Sequence, residues 1–193
     1  MSLIRLGFAP VLGFLPLLAF GCSDPVPPSP RGAVVLRWAD NPPTECPILS
    51  HEGRIGNVTT SAYDKVLVDG EKDGENEAVI ECTVSGAGSY RVSGDAKLGL
   101  TSFGMSIQSI SPEATAANPA LGTVVYTSQQ AQAGSVSDTT EPCAFFFPDQ
   151  RPSDQRVSEG KIWVSFACSR MNYQSGYCQI EQGNAIFENC ETD

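Results

Sequence analysis

Lys161-Ile162-Trp163-Val164-Ser165-Phe166-Ala167 is the stretch that decides the fold class. Ile162, Val164 and Phe166 alternate with Trp163, Ser165 and Ala167, and a period of two places the two sets on opposite faces of an extended strand. Met105-Ser106-Ile107-Gln108-Ser109-Ile110 nearly alternates in the same way. Outward from these two, short β-rich runs recur at 33–38, 65–68, 78–84, 89–92, 104–110, 123–128, 144–147, 161–167, 177–181 and 185–188. Gly, Pro, Ser, Asn or Asp bound them, and Asp40-Asn41-Pro42-Pro43 ends the first. Ser85-Gly86-Ala87-Gly88-Ser89 reads as a hairpin turn between strands ending at Val84 and starting at Ser89. Gln182-Gly183-Asn184 reads as another, between Cys178 and Cys190. Residues 129–142 are small and polar, a long surface loop, and one short helix fits 112–117. With no long stretch of helical periodicity, the expectation is an all-β protein: an antiparallel β-sandwich or barrel-like domain, stabilised by disulfides.

The chain has 193 residues, 41% of them hydrophobic, which suits one compact domain with a real core. Formal net charge is -10, and the only charged residue among the first 21 is Arg5, so the chain without them carries -11. Such a surface excludes nucleic acid and anionic headgroups as natural partners and favours solubility outside the cytoplasm.

Residues 1–21 have the form of a signal peptide. Arg5 supplies the positive start, and the uncharged run 6–20 is broken by Gly7, Pro10, Gly13 and Pro16. That run falls short of the ~20 residues that span a bilayer. Leu17-Leu18-Ala19-Phe20-Gly21-Cys22 resembles the lipobox of bacterial lipoproteins. That pattern has Leu three places before the cysteine and a small residue two before, where this chain has Ala19 and Phe20; Gly21 fits. The resemblance implies acylation of Cys22 by diacylglycerol and an amide-linked fatty acid such as palmitate, and so anchorage by several chains. Ser23, in place of the Asp that retains many such proteins at the inner membrane, tilts the expectation to the outer membrane; Asp24 follows one place later. Ala19-x-Gly21 also satisfies ordinary signal peptidase at the same bond, which leaves a soluble periplasmic or secreted protein as the alternative. Residues 22–32, with Pro25, Pro27, Pro28 and Pro30, form a semi-rigid tether of roughly 3 Å per residue, and 33–193 the β domain.

Of seven cysteines, setting Cys22 aside leaves six: Cys46, Cys82, Cys143, Cys168, Cys178 and Cys190. No Cys-x-x-Cys pair occurs and no histidine stands near them, so zinc and redox motifs give way to disulfides. Fifteen pairings exist. Only Cys178–Cys190 has a local argument, since the two flank the expected turn at 182–184. Val66-Leu67-Val68-Asp69-Gly70, Val79-Ile80-Glu81-Cys82-Thr83, Tyr126-Thr127-Ser128 and Val164-Ser165-Phe166-Ala167-Cys168-Ser169 resemble the mycobacterial nineteen-kilodalton lipoprotein antigen family. The likeness covers residues 66–169. It implies a lipid-anchored β domain with surface exposure and adhesion or immune contact, and its single disulfide would correspond to Cys82–Cys168. Cys46–Cys143, tying loops, completes that set.

Asp69, Glu71, Asp73, Glu75 and Glu77 fall on the alternating ligand positions of a calcium loop, with Gly74 sixth. Ile80 stands where the bidentate Glu is required, which excludes an EF-hand; a looser calcium site on Asp69, Glu71, Asp73 and Glu75 competes with a solvated acidic turn. His51 is the only histidine, so any His-based hydrolase must use it, and Gly104-Met105-Ser106-Ile107-Gln108 lacks the last Gly of a nucleophile elbow. Paired carboxylates would suffice for a glycosidase, but no pair is singled out. Trp38, Trp163, Tyr173, Tyr177 and Phe145-Phe146-Phe147 could make a carbohydrate- or protein-binding face, against which stands core packing as the fate of most of them. Trp163, facing away from Ile162 and Val164, is the leading candidate of the set for a binding face. Asn57-Val58-Thr59 matches the glycosylation triplet. No cofactor motif is present. The leading expectation is a non-enzymatic cell-envelope lipoprotein, held by membrane lipid through Cys22, that offers a β-sandwich surface to an envelope protein or glycan. Carboxylate-based hydrolysis and a purely structural or antigenic surface role are the alternatives.

Overall fold

The computed structural model describes residues 27–39 and 46–192; Cys22, the first half of the tether and the Asp40-Asn41-Pro42-Pro43 stop lie outside them. Fifteen strands follow in chain order among the described residues: β1 (Arg31–Ala39), β2 (His51–Ile55), β3 (Asn57–Val58), β4 (Tyr63–Lys65), β5 (Leu67–Val68), β6 (Lys72–Asp73), β7 (Asn76–Ala87), β8 (Ser89–Leu98), β9 (Thr101–Ile110), β10 (Ala120–Thr127), β11 (Ser135–Ser137), β12 (Cys143–Phe146), β13 (Val157–Ser158), β14 (Lys161–Tyr173) and β15 (Gly176–Glu188). The all-β expectation holds. The helix expected at 112–117 is instead a set of turns and a Thr115–Asn118 bridge. Among the described residues no helix is long and apolar enough to cross a membrane.

One antiparallel sheet of order β2-β1-β15-β14-β11-β10-β9-β8-β7-β6 makes up most of the domain, with β12 a second link between β10 and β14. The sheet curls into a barrel-like body because its far strand is stitched back to its beginning. β5 pairs with Arg31 and Gly32 of β1, while the Gly70 N–H donates to Ala78 O (2.9 Å) and the Ala78 N–H to Glu71 O (2.8 Å) on β7. The chain end makes a second seam, with the Glu191 N–H donating to Cys82 O and the Val84 N–H to Glu191 O, both at 2.9 Å.

Strand alternation sets the core. Val34, Leu36 and Trp38 of β1 meet Tyr126, Phe145, Phe166 and Phe187 inside. Ala33 faces outward and packs with Val58, Trp163 and Ile186 in a smaller cluster beneath the β3–β4 hairpin. Each fully buried aromatic stabilises the fold by about 1.5–3 kcal/mol through burial alone.

Two sequence expectations are corrected here. Gln182, Gly183 and Asn184 form no turn: they lie within β15, paired with Arg37, Leu36 and Val35 of β1. The turn lies at the β14–β15 junction, where Gln174 takes a positive φ of 52°. Gly183 is needed inside the strand because a Cβ there would overlap the Phe166 ring across the ladder. Cys178 and Cys190 therefore stand roughly 30 Å or more apart along an extended chain, far beyond the ~7 Å that a disulfide tolerates.

The bridges are Cys46–Cys178, Cys82–Cys190 and Cys143–Cys168, which replaces the expected Cys178–Cys190, Cys82–Cys168 and Cys46–Cys143. Register explains them. Thr83 bridges Glu191, bringing Cys82 beside Cys190, and Ala144 pairs with Ala167, bringing Cys143 beside Cys168. Cys46–Cys178 fastens the approach to β2 onto the start of β15.

Candidate functional site

The densest group of chemistry-bearing side chains sits at one end of the barrel, where β1 finishes. Trp38 pairs with His51, the first residue of β2, and its ring lies 5.5 Å from that of Tyr126 near the end of β10. Tyr173, the last residue of β14, meets Trp38 edge-on at 6.4 Å. Gly53 makes room for the group, since a Cβ there would overlap the Tyr126 hydroxyl.

His51 Nδ1 lies 3.0 Å from the Leu49 carbonyl oxygen, which can only accept, so Nδ1 carries a proton. That leaves Nε2 facing both the Tyr126 hydroxyl and Ser128 Oγ, each at 3.2 Å. The Ala131 N–H also donates to Ser128 Oγ at 3.0 Å. Tyr126 and Ser128 are buried while His51 is half-exposed, so the imidazole is the group's contact with solvent. Burial pushes the Tyr126 phenol above its ordinary value, and the hydrogen bond with Ser128 pulls the other way. Trp38 Nε1 is buried there without a hydrogen-bond partner.

Nothing local in the sequence joins these residues. His51 and Ser128 are 77 positions apart. The only available signal was that Ser128 closes a β-rich run and His51 is the sole histidine.

A second feature lies on the outer face of β7, β8 and β9. Glu81 stands opposite Asp95, which in turn stands opposite Gly104. A Cβ on Gly104 would come within 2.7 Å of Asp95 Oδ1, so the glycine accommodates the carboxylate. Shallow grooves of about 400 Å³ and 320 Å³ share the two acids, the larger walled by Val79, Phe103 and Val125. Burial, and next the Glu81 charge, raise the Asp95 pKa above its ordinary value.

The acidic loop behaves as a turn. Asp69 Oδ1 accepts the Ile80 N–H (2.9 Å), Glu71 Oε2 accepts the Val68 N–H (2.8 Å), and Asp73 pairs with Lys65 (2.8 Å). Glu75 and Glu77 are exposed. Among the described residues no group of three or more His, Cys, Asp or Glu is arranged to hold a metal ion.

Trp163 does leave the main core, as its period demanded, but it presents no open binding face. The β3–β4 hairpin covers it: Tyr63 packs edge-on at 5.1 Å, Nε1–H donates to Thr59 O at 3.2 Å, and 1% of the residue is exposed. Trp38, Phe145 and Phe147 are in the core, and Tyr177 lies under the Arg170 guanidinium at 3.6 Å. Comparison of the chain with models of known families, with curated proteins and with solved structures finds no match.

Proposed function

We propose that the chain is a lipid-anchored cell-envelope domain, held through Cys22 and a proline-rich tether, that presents its β surface to a protein or glycan. The carrying observation is polarity along β1. The tether enters at Arg31, where Asn189 Nδ2–H donates to Ser29 O (3.0 Å) and the Asp69 N–H to Pro30 O (2.9 Å). Trp38 and its polar neighbours lie seven residues further along the strand, about 23 Å away at ~3.3 Å per residue. Anchorage at the Arg31 end turns the His51 end away from the membrane. Three disulfides fit an oxidising, exported compartment. Growth with a radioactive fatty acid tests the anchor: wild-type chain takes up label and Cys22→Ala does not. An unlabelled wild-type band would end this reading.

The Glu81–Asp95 pair favours a second reading, a carboxylate-based envelope hydrolase. Retaining glycosidases hold two carboxyl groups ~5–5.5 Å apart, and side chains that start from facing residues, with Cβ atoms ~4.5–5.5 Å apart, can bring their carboxyl groups within that range. Cleavage of envelope glycan by the wild-type chain, abolished in Glu81→Gln and Asp95→Asn, would support it. Intact glycan in every case would remove it.

A further inference from the structure

We propose that Ser128 is a reactive nucleophile, that His51 is its general base, and that the His51 end of the barrel cleaves small carboxylic esters. The proposal goes beyond membrane anchorage and stands or falls separately from it. Three features of the geometry converge. The Leu49 carbonyl accepts a hydrogen bond from His51 Nδ1–H and so leaves Nε2 as the acceptor facing Ser128 Oγ and the Tyr126 hydroxyl, the orientation that a carboxylate sets in a hydrolytic triad. The Ala131 N–H donates to Ser128 Oγ, which holds the hydroxyl beside Nε2 and stabilises that oxygen as its proton leaves. Trp38 Nε1–H, buried without a partner and in ring contact with both His51 (6.1 Å) and Tyr126, is a donor still to be used. A buried N–H of this kind costs free energy unless something accepts from it, and an ester carbonyl oxygen is such an acceptor.

The reaction balances without a cofactor. Ser128 Oγ bonds to the acyl carbon as its proton passes to His51 Nε2. The ester C–O bond breaks, and the alcohol leaves with that proton. Water then attacks the acyl-serine and gives a proton to Nε2. The carboxylic acid departs and Ser128 Oγ takes its proton back. Ser128 is buried, so access runs past the half-exposed imidazole and restricts substrates to small ones.

Ser128 also has a local structural use, since it holds the turn to Ala131, and the experiment must separate the two roles. The full chain is treated with an alkyl fluorophosphonate, and the adduct is located by peptide mass spectrometry. p-Nitrophenyl acetate hydrolysis is followed in parallel. The expected result is one adduct, on Ser128, in the folded wild-type protein. His51→Gln keeps a polar side chain but lacks the base, and should label about 100-fold more slowly. Trp38→Phe keeps a ring but lacks the N–H, and should slow ester hydrolysis by about tenfold or more. A purely structural serine gives a different pattern: wild-type protein without an adduct at Ser128, or His51→Gln labelling at the wild-type rate. Either outcome overturns the proposal, and the first does so even where the variants fail to fold.

Discussion

Glu81 and Asp95 face each other directly across the β7–β8 ladder on the solvent side, and no basic side chain is ion-paired with either among the described residues. Like charges so placed oppose the pairing of their strands. A carboxylate whose pKa is raised by folding binds its proton more tightly in the folded state. The contribution of Asp95 therefore favours folding at acid pH and is lost as pH rises from the ordinary value of 3.8 through the raised one. Glu81→Gln should lower the Asp95 pKa and raise stability at pH 7 by ~0.3 kcal/mol, the scale of an exposed charge pair. It should change stability far less at acid pH, where Asp95 holds its proton. NMR titration of the Asp95 carboxyl with denaturant midpoints at both pH values measures this. An unmoved Asp95 titration would show that Glu81 is not felt.

The disulfides rank by the chain they enclose. Cys82–Cys190 spans 108 positions and Cys143–Cys168 spans 25. In the loop-entropy account, replacing the first pair by alanines should destabilise the fold by about 1 kcal/mol more than replacing the second. Denaturant unfolding of the two double variants gives the comparison. Peptide mapping of the unreduced chain gives the connectivity directly, and a peptide joining Cys178 to Cys190 would refute the strand assignment of β15.

Gly183 separates the observed fold from the expected one. In a hairpin turn its replacement by alanine would be mild. Inside β15, where Cβ would meet the Phe166 ring, Gly183→Ala should destabilise by about 1–3 kcal/mol, and Gly183→Val by more. Calorimetric unfolding reads the difference, and a neutral Gly183→Ala would sink the close ring-over-glycine contact.

That residue also shows what the sequence can reveal. The period of two in Ile162–Ala167 names its strand and sends Trp163 to the opposite face from Phe166, because alternation is a property of the chain itself. Gly183 looked like a turn because its use depends on Phe166, 17 positions earlier and meaningful only after pairing. The disulfides and the His51–Ser128 contact fail to show for the same reason: closure of a curled sheet joins residues that no local spacing relates. Trp163 shows the limit within a single element. Its direction was legible, but its cover, the β3–β4 hairpin about a hundred positions away, was not.

Glu188 tests the end of the barrel where the tether enters. It is 6% exposed and lies between Arg31 of β1 and Lys161 of β14, paired with both and ion-bonded to both, at 2.5 Å and 2.6 Å. Removing the shared acid leaves two cations facing each other across β15. A fully sealed pair broken this way loses ~3–5 kcal/mol. Here the Arg31 and Lys161 side chains are 43% and 25% exposed, so water compensates part of the loss. Glu188→Gln, close in volume, should therefore destabilise by about 1–2 kcal/mol. The damage should concentrate at the junction, since Arg31 follows directly on the Ser29 and Pro30 contacts: the Arg31 and Gly32 amides should exchange faster while those of β8 and β9 keep their protection. Hydrogen exchange with mass spectrometry, beside a denaturant midpoint, reads both effects. An unchanged midpoint with unchanged exchange at Arg31 would mean that the ion row leaves the tether junction unsupported, and that the backbone pairing of β1 with β15 and β5 fixes it alone.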